Sequence, residues 1–247
     1  MPAPQADGEP PDTADVLGAE QAYLLESRKF LGLMRDDVLS LQALGGDPVS
    51  EEYLRAALFH RAEALQDLPD TPLFFGRLDY GAPAETSAAE TSTDETGAES
   101  FHIGRRHVHD PAGTPVVIDW RAPVSRAFYQ ASRDDPMGLV LRRRFGFSGG
   151  ELTAFEDEHF GAGPAGEGAG AGEPVSRLLI QEIERPRSGP MRDIVATIQP
   201  DQDDIVRADV GQTVCVQGAP GTGKTAVGLH RVAYLLYAYS ERVARRG

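Results

Sequence analysis

The chain has 247 residues, 40% of them hydrophobic, which is enough for one large or two small domains with a buried core. Its single cysteine, Cys215, excludes a disulfide framework and a cysteine-based zinc site, and it fits a reducing cytoplasm. Residues 1–13 are proline-rich and acidic and predict a disordered tail rather than a signal peptide. No run approaches the roughly 18 apolar residues that a membrane span requires.

The net charge of −14 comes from the first part of the chain. Residues 1–100 hold 20 acidic and 6 basic side chains, whereas residues 101–247 hold 18 of each. An acidic surface repels nucleic acid phosphates and tolerates a basic protein surface better. Acidic loops that simply keep a protein in solution fit the same pattern.

Residues 14–70 predict a helical hairpin. Apolar side chains recur at three- and four-residue steps over residues 14–43, which is the helical period. Glycine and proline at residues 45–48 break this helix, and Ser50 is expected to cap a second helix through Leu65. Both an ordinary helix pair on a core and a projecting arm for a partner fit this pattern.

Residues 71–160 predict a small antiparallel β subdomain. Residues 72–80 predict a strand, and the acidic, Thr/Ser-rich residues 82–99 predict a flexible loop. Two hairpins are then expected, one pairing residues 101–108 with 116–120 around the turn at Asp110–Gly113 and one pairing 139–147 with 152–158.

Residues 161–173 alternate glycine with small residues and predict a linker. A helix is expected over residues 176–184, before two prolines. Residues 174–247 then predict the start of a nucleotide-binding domain, so the predicted fold class is α/β.

The strongest motif is the glycine-rich run Gly218–Thr225, GAPGTGKT. A predicted buried strand at residues 213–217 precedes it, and a predicted helix from Gly223 to Tyr237 follows it. A strand, GxxxxGK[ST] and a helix together predict a P-loop. Only two lysines occur in the chain, and one of them, Lys224, stands at the phosphate-binding position.

Each motif position has a chemical role in binding ATP and Mg²⁺. Glycines let backbone N–H groups converge on phosphates at a helix N-terminus. Lys224 is expected to bind the β- and γ-phosphates, and the Thr225 hydroxyl is expected to ligate Mg²⁺. The predicted nucleotide-binding set is Gly218, Ala219, Pro220, Gly221, Thr222, Gly223, Lys224, Thr225 and Ala226, with Lys224 and Thr225 as the catalytic candidates.

Gln202 precedes this loop by 16 positions. A glutamine amide both donates and accepts, so it can read the donor–acceptor edge of adenine. A surface glutamine at the start of a helix fits the same position.

Basic side chains are frequent in the β region and could bind nucleic acid or an acidic protein surface. Interleaved acids make a structural ion-pair network at least as good an interpretation. His102, His107 and His109 lack a companion ligand pattern and are interpreted as surface or packing histidines, and Trp120 is interpreted as core. The arginines are Arg105, Arg106, Arg121, Arg126, Arg133, Arg142, Arg143 and Arg144.

Several longer strings resemble known proteins. Gln202 and the glycine-rich loop resemble the Q-motif and motif I of UvrD-type superfamily 1 helicases. The chain resembles actinobacterial HelD proteins from about Glu20 to Arg246. The strings are FFGRLDYG (74–81), FHIGRRHV (101–108), VVIDWRAPVS (116–125), LRRRFGF (141–147), GPMRDIVATIQPDQDDIVRAD (189–209) and VCVQGAPGTGKTAVGLHRVAYLLY (214–237).

The resemblance implies an RNA-polymerase-associated, helicase-like ATPase that helps to release or recycle the polymerase. It implies a RecA-like domain at residues 174–247, core RNA polymerase as the partner, and DNA contacts through a complete protein. The helical hairpin would then be an arm that enters the polymerase's secondary channel, in a cytoplasmic protein.

The sequence departs from the family pattern after the glycine-rich loop. It holds no Walker B carboxylate pair after a strand and no arginine finger, and Asp203–Asp204 are poor substitutes. Arg242, Arg245 and Arg246 are expected to lie at a solvated helix end rather than to act as an arginine finger. A truncated chain, inactive alone, is therefore expected. A polymerase-binding module that does not hydrolyse ATP is the alternative, and a GTPase is disfavoured because no guanine-reading motif follows.

Overall fold

The computed structural model describes residues 13–44, 46–81, 99–160, 176–178, 180 and 194–244. These residues form two compact units, one up to Pro72 together with Gly146–Phe155, the other comprising Leu73–Phe145 and the residues from Glu156 onward. The helices are α1 Thr13–Ser40, α2 Pro48–Ala64, α3 Arg126–Gln130, α4 Pro200–Arg207, α5 Lys224–Ala238 and α6 Ser240–Ala244, with 3₁₀ turns at Pro123–Ser125 and Val195–Thr197. The strands are β1 Phe74–Tyr80, β2 Glu99–Gly104, β3 Val108–His109, β4 Pro115–Asp119, β5 Leu139–Ser148 and β6 Glu151–His159.

The first unit contains the predicted helical hairpin, which is confirmed. Helix α1 is 28 residues long, and its buried side chains recur at helical spacing along one stripe. Arg28 fastens this helix to the chain after α2, because its guanidinium donates to the carbonyls of Pro69 (3.2 Å) and Thr71 (3.1 Å) and pairs with Asp67. The Arg28 side chain therefore stabilises the hairpin in addition to the apolar contacts.

The N-cap of α2 is Asp47, so the prediction that Ser50 caps this helix is wrong. The Asp47 carboxylate accepts hydrogen bonds from the backbone N–H groups of Val49 and Ser50, at 2.9 and 3.0 Å. The Ser50 hydroxyl only donates to Asp47, and these bonds hold the pKa of Asp47 below its ordinary value. Asp47 is the N-cap because it stands directly before Pro48, and proline is suited to the first helical turn.

The described strands form a six-stranded mixed sheet in the order β3-β4-β2-β1-β5-β6, so the predicted α/β class is confirmed. The prediction of a purely antiparallel subdomain is wrong at one pair. Strand β2 lies parallel to β4, with His102 opposite Val117, and only the short β3 makes an antiparallel hairpin with β4. The chain reverses once before β3 and again after it, and two reversals return β4 to the direction of β2.

The predicted strand before the glycine-rich loop is not confirmed. Residues 213–217 form no strand; Val214 and Val216 are half-buried and the side chains between and beside them are exposed. A P-loop strand normally lies inside a parallel sheet, and the described residues offer it no neighbouring strand to complete its hydrogen bonds. The predicted loop 82–99, the linker 161–173 and most of the predicted helix 176–184 lie outside the described residues, although residue 99 begins β2.

The core of the second unit joins the sheet to the helices. Leu78 of β1, Phe128 of α3, Val206 of α4 and Val227 of α5 belong to one buried cluster. Trp120 is 4% exposed and belongs to the same cluster, which confirms its prediction as core. None of the described helices is long and apolar enough to cross a membrane.

Gly76 marks the closest approach in this core. A Cβ atom at Gly76 would lie 2.0 Å from Cε2 of Phe128, whereas a Cβ atom at Gly228 in α5 would meet nothing within 4 Å. We expect Gly76→Ala to lower the free energy of unfolding by about 1–3 kcal/mol through overpacking. Gly228→Ala, the control in the same unit, should leave stability unchanged or raise it by up to about 1 kcal/mol. Denaturant unfolding measures both, and equal stability of the two variants would contradict the packing.

Candidate nucleotide-binding site

The glycine-rich loop ends in helix α5, whose first residue is Lys224. Gly221 and Gly223 have φ of 84° and 80°, in the left-handed region that favours glycine. Gly223 is the N-cap of α5, and no side chain caps the helix there. The N–H groups of the first turn are therefore left for another acceptor, and an anion at this end would also meet the positive end of the helix dipole.

Lys224 lies over its own loop. Its Nζ donates to the carbonyl oxygens of Gly218 (2.8 Å) and Ala219 (2.6 Å), and the Thr222 hydroxyl also donates to Ala219 (2.9 Å). A Cβ atom at Gly218 would lie 2.9 Å from the Thr222 hydroxyl oxygen, so a larger residue there would displace this hydroxyl. The structure therefore brings together Gly218, Ala219, Thr222 and Lys224 in one small ring of polar contacts.

The remaining loop residues divide into exposed and buried positions. Pro220 and Gly221 are exposed at the tip of the loop. Thr225 is exposed, and its hydroxyl makes no hydrogen bond with another described residue, so it is accessible to a ligand. Ala226 is 8% exposed and Val227 is 2% exposed, so this end of α5 is anchored in the core directly behind the loop.

Gln202 lies in the first turn of α4. Its side-chain oxygen accepts a hydrogen bond from the backbone N–H of Gln199 at 3.2 Å, and the Gln199 side chain accepts from the N–H of Gln202. This reciprocal capping box stabilises the start of the helix. The Gln202 amide nitrogen makes no hydrogen bond within the described part of the chain, and no hydrogen bond joins Gln202 to the glycine-rich loop.

Arg231 connects the helix that follows the loop to the helix that carries Gln202. From α5 its guanidinium donates to the carbonyls of Ile205 (3.0 Å), Val206 (3.3 Å), Ala208 (2.7 Å) and Asp209 (3.1 Å). The last carbonyls of a helix lack partners within the helix, and a cation is favourable there. The sequence analysis did not identify Arg231. Its position seven residues after Lys224, two turns along the same predicted helix, was the available signal.

Arg207, at the end of α4, makes the central buried contact of this region. Its Nε donates to Asp203 at 2.8 Å, and Asp203 is fully buried. Its Nη2 donates to the carbonyl of Trp120 at 2.7 Å, in the turn after β4. The guanidinium also lies 5.9 Å from the ring of Tyr129 in α3 and 5.3 Å from that of Tyr234 in α5. One side chain therefore contacts α3, α5 and the turn after β4 from α4.

Several arginines of the β region are paired, which supports the ion-pair interpretation. Arg142 pairs with Glu158 (2.6 Å), Arg143 with Asp157 (2.7 Å) and Arg121 with Asp119 (2.5 Å). Two of these three acids, Glu158 and Asp157, belong to β6. Burial, and then repulsion from Arg142, lower the pKa of Arg144 to about 10, and its guanidinium lies 4.7 Å from the ring of Phe128.

The histidines have packing and surface environments. His102 is 7% exposed, and its ring lies 4.8 Å from that of Phe74 and stacks on that of Phe145. The rings of His107 and His109 are 5.9 Å apart, and burial, followed by repulsion from His109, lowers the pKa of His107. Among the described residues, no group of three or more potential ligands is arranged to hold a metal ion.

Residues 17–172 match the family model described as DNA helicase IV HelD, N-terminal domain. The match includes α1 from residue 17 onward, all of α2 and the whole described sheet, and it ends before Gln202 and the glycine-rich loop. A comparison with curated proteins finds no match.

The Arg207–Asp203 pair gives a stability prediction. We expect Arg207→Ala to lower the free energy of unfolding by about 3–5 kcal/mol, because it leaves the Asp203 carboxylate buried without its cation. Arg126→Ala is the matched control, since its guanidinium is 3.9 Å from Asp204 and both side chains are more than half exposed. That variant should change stability by less than about 1 kcal/mol. Similar losses from the two variants would show that Arg207 has no special role.

Proposed function

The chain belongs to the DNA helicase IV HelD family, and from this premise we propose that it is an ATP-binding, helicase-like protein that binds RNA polymerase and helps to release or recycle it. The observation that carries the nucleotide part is the loop at the start of α5. There, an uncapped helix N-terminus, two left-handed glycines and the Lys224 ammonium lie in succession along the chain.

This loop has the chemistry for phosphate. Lys224 is held by two neutral carbonyls, and a phosphate oxygen would offer the ammonium a charged acceptor instead. The bonds from the ammonium to the carbonyls are already charge-assisted, and an ionised phosphate oxygen adds the attraction between opposite charges. Binding would therefore move the Lys224 side chain from the loop carbonyls to the β- and γ-phosphates, while the backbone N–H groups of residues 221–226 surround them.

Mg²⁺ fits the residues present. The Thr225 hydroxyl is exposed and not engaged by other described side chains, so it could ligate one position of the ion. Mg²⁺ commonly keeps several waters and binds through few protein groups together with substrate phosphates. When bound, the ion supplies charge neutralisation between the phosphates, and the role of Thr225 is to orient it.

Gln202 would provide the preference for adenine. Its amide nitrogen makes no hydrogen bond in the described part of the chain, and its oxygen keeps a second lone pair beyond the bond from Gln199. Adenine presents an adjacent donor and acceptor, which this amide can match. We therefore propose ATP rather than GTP as the nucleotide.

RNA polymerase binding is supported by the tip of the helical hairpin. Large apolar side chains are exposed where α1 ends and α2 begins, including Leu44 (80%), Val49 (78%) and Tyr53 (79%). The acids Asp36, Asp37 and Glu52 belong to the same part of the hairpin. Exposed apolar groups among acids fit a partner surface that is apolar and basic.

A polymerase-binding module that does not hydrolyse ATP is the alternative function. At family level the HelD name implies a helicase-like ATPase. In the described part of the chain, however, no carboxylate pairs with or hydrogen-bonds to Lys224 or Thr225. ATP hydrolysis usually requires a carboxylate that holds the metal or activates water. The described residues on their own therefore favour binding without hydrolysis.

ATP binding is tested with the two lysines of the chain. We expect Lys224→Ala to weaken binding of Mg·ATP at least about tenfold, because it removes the cation that meets the phosphates. Lys29→Ala is the matched control, because Lys29 is exposed on α1. Calorimetric titration measures both variants. Equal affinities would contradict the assignment of the loop, and absence of binding by the unmodified chain would contradict the function itself.

Polymerase binding is tested at the hairpin tip. We expect the double variant Val49→Ser/Tyr53→Ser to lose most of its affinity for purified core RNA polymerase, because it removes exposed apolar anchors without touching the buried stripe of α1. Leu25→Ser is the control: Leu25 is 62% exposed on α1, 15 residues before that helix ends at Ser40. Retained binding by the tip variant, or an equal loss in both variants, would contradict the docking role of the tip.

A further inference from the structure

Gln130 is the last residue of α3, a short helix held firmly at both ends. Before the helix, the Ser125 hydroxyl donates to the carbonyl of Asp119 at 2.8 Å, which ties the turn to β4. At its end, the Arg142 guanidinium donates to the carbonyls of Phe128 and Ala131, both at 3.0 Å. The position of Gln130 is therefore set by the sheet.

The Gln130 side chain reaches across to the start of α4. Its amide nitrogen donates to the carbonyl of Pro200 (2.9 Å) and lies within hydrogen-bonding distance of the carboxylates of Asp203 (3.2 Å) and Asp204 (3.0 Å). These three contacts lie on both sides of Gln202 along the chain.

From this arrangement we infer that Gln130 is a positioning residue for base recognition, because it fixes the helical turn that presents Gln202 to adenine. This inference rests on the proposed ATP-binding function and adds a specificity determinant to it. Gln130 lies inside the family-matched residues 17–172, whereas Gln202 lies beyond them. A residue of the N-terminal domain would therefore contribute to the choice of nucleotide.

The chemistry explains why a neutral donor stands at this position. Asp203 and Asp204 place two carboxylates in the first turns of an eight-residue helix, and so short a helix has little stability of its own. An amide N–H group satisfies acceptors on both acids without adding a charge. Tyr129 assists from the same helix, because its hydroxyl donates to the carbonyl of Val195 at 3.0 Å, just before α4.

The test compares three probes, Mg·ATP, Mg·GTP and inorganic tripolyphosphate, on the full chain and its variants. We expect Gln130→Ala to lower the ratio of ATP to GTP affinity by about tenfold, the scale of losing the alignment of one base-reading group. Tripolyphosphate affinity should stay within about twofold, since Lys224 and the loop bind phosphate independently of Gln130. Gln42→Ala, at an exposed glutamine beyond α1, is the control and should behave as the unmodified chain.

A second variant keeps the shape of the side chain. Gln130→Glu replaces the donor by a carboxylate beside Asp203 and Asp204, so the ATP to GTP ratio should fall further than in Gln130→Ala at about pH 8. The ratio should partly recover near pH 5, because a carboxyl group beside two carboxylates becomes protonated and regains a donor. A merely structural role would instead change tripolyphosphate affinity together with the base preference.

The outcomes separate the two levels of the proposal. If Gln202→Ala abolishes the ATP preference but Gln130→Ala retains it, the positioning role is overturned and the proposed function stands. If Gln130→Ala weakens all three probes equally, Gln130 only supports folding, and the inference is overturned. If the unmodified chain binds no nucleotide or shows no ATP preference, both the function and the inference fail.

Discussion

The buried ion pair between Arg207 and Asp203 is the constraint on which the second unit depends. Asp203 is fully buried, and a carboxylate in that environment requires a cation and hydrogen bonds. Arg207 supplies both. Its Nη2 also donates to the carbonyl of Trp120 at 2.7 Å, in the turn after β4. Its rigid guanidinium fork contacts several elements at once, which a lysine could not do with the same geometry.

The positions of the candidate site residues depend on this contact. Gln202 lies one residue before Asp203, so the residue proposed to read adenine is attached directly to the buried pair. Arg231 then ties α5, which begins with Lys224, to the end of α4. The proposed base-reading residue and the proposed phosphate-binding loop are thus connected through two arginines, although no hydrogen bond joins them. These contacts hold α4 and α5 together in the core.

Local signals in the sequence predicted local structure well. Helical periodicity gave the hairpin, and strand-forming residues gave β1 and the β5–β6 hairpin. The incorrect or missing predictions concern contacts between residues that are distant in sequence, or two residues that could take the same role. A serine and an aspartate three residues apart could both cap α2, and pattern alone did not decide for Asp47. Strand direction in the β2–β4 pair depends on two reversals around the two-residue β3, which is too short to carry a periodic signal. Gln130 and Arg207 act on residues about 70–87 positions away, so no spacing rule could find them.

Hydrogen–deuterium exchange with and without bound nucleotide tests most directly whether the loop and the segment around Gln202 bind the same nucleotide. Amides exchange according to local opening, so a ligand that engages a segment slows exchange there. A shared site with Gln202 on the base predicts that Mg·ATP slows exchange both in the loop 218–226 and in residues 199–208, whereas Mg·GTP slows it only in the loop. Protection by ATP that is confined to the loop, or absent from both segments, would contradict it.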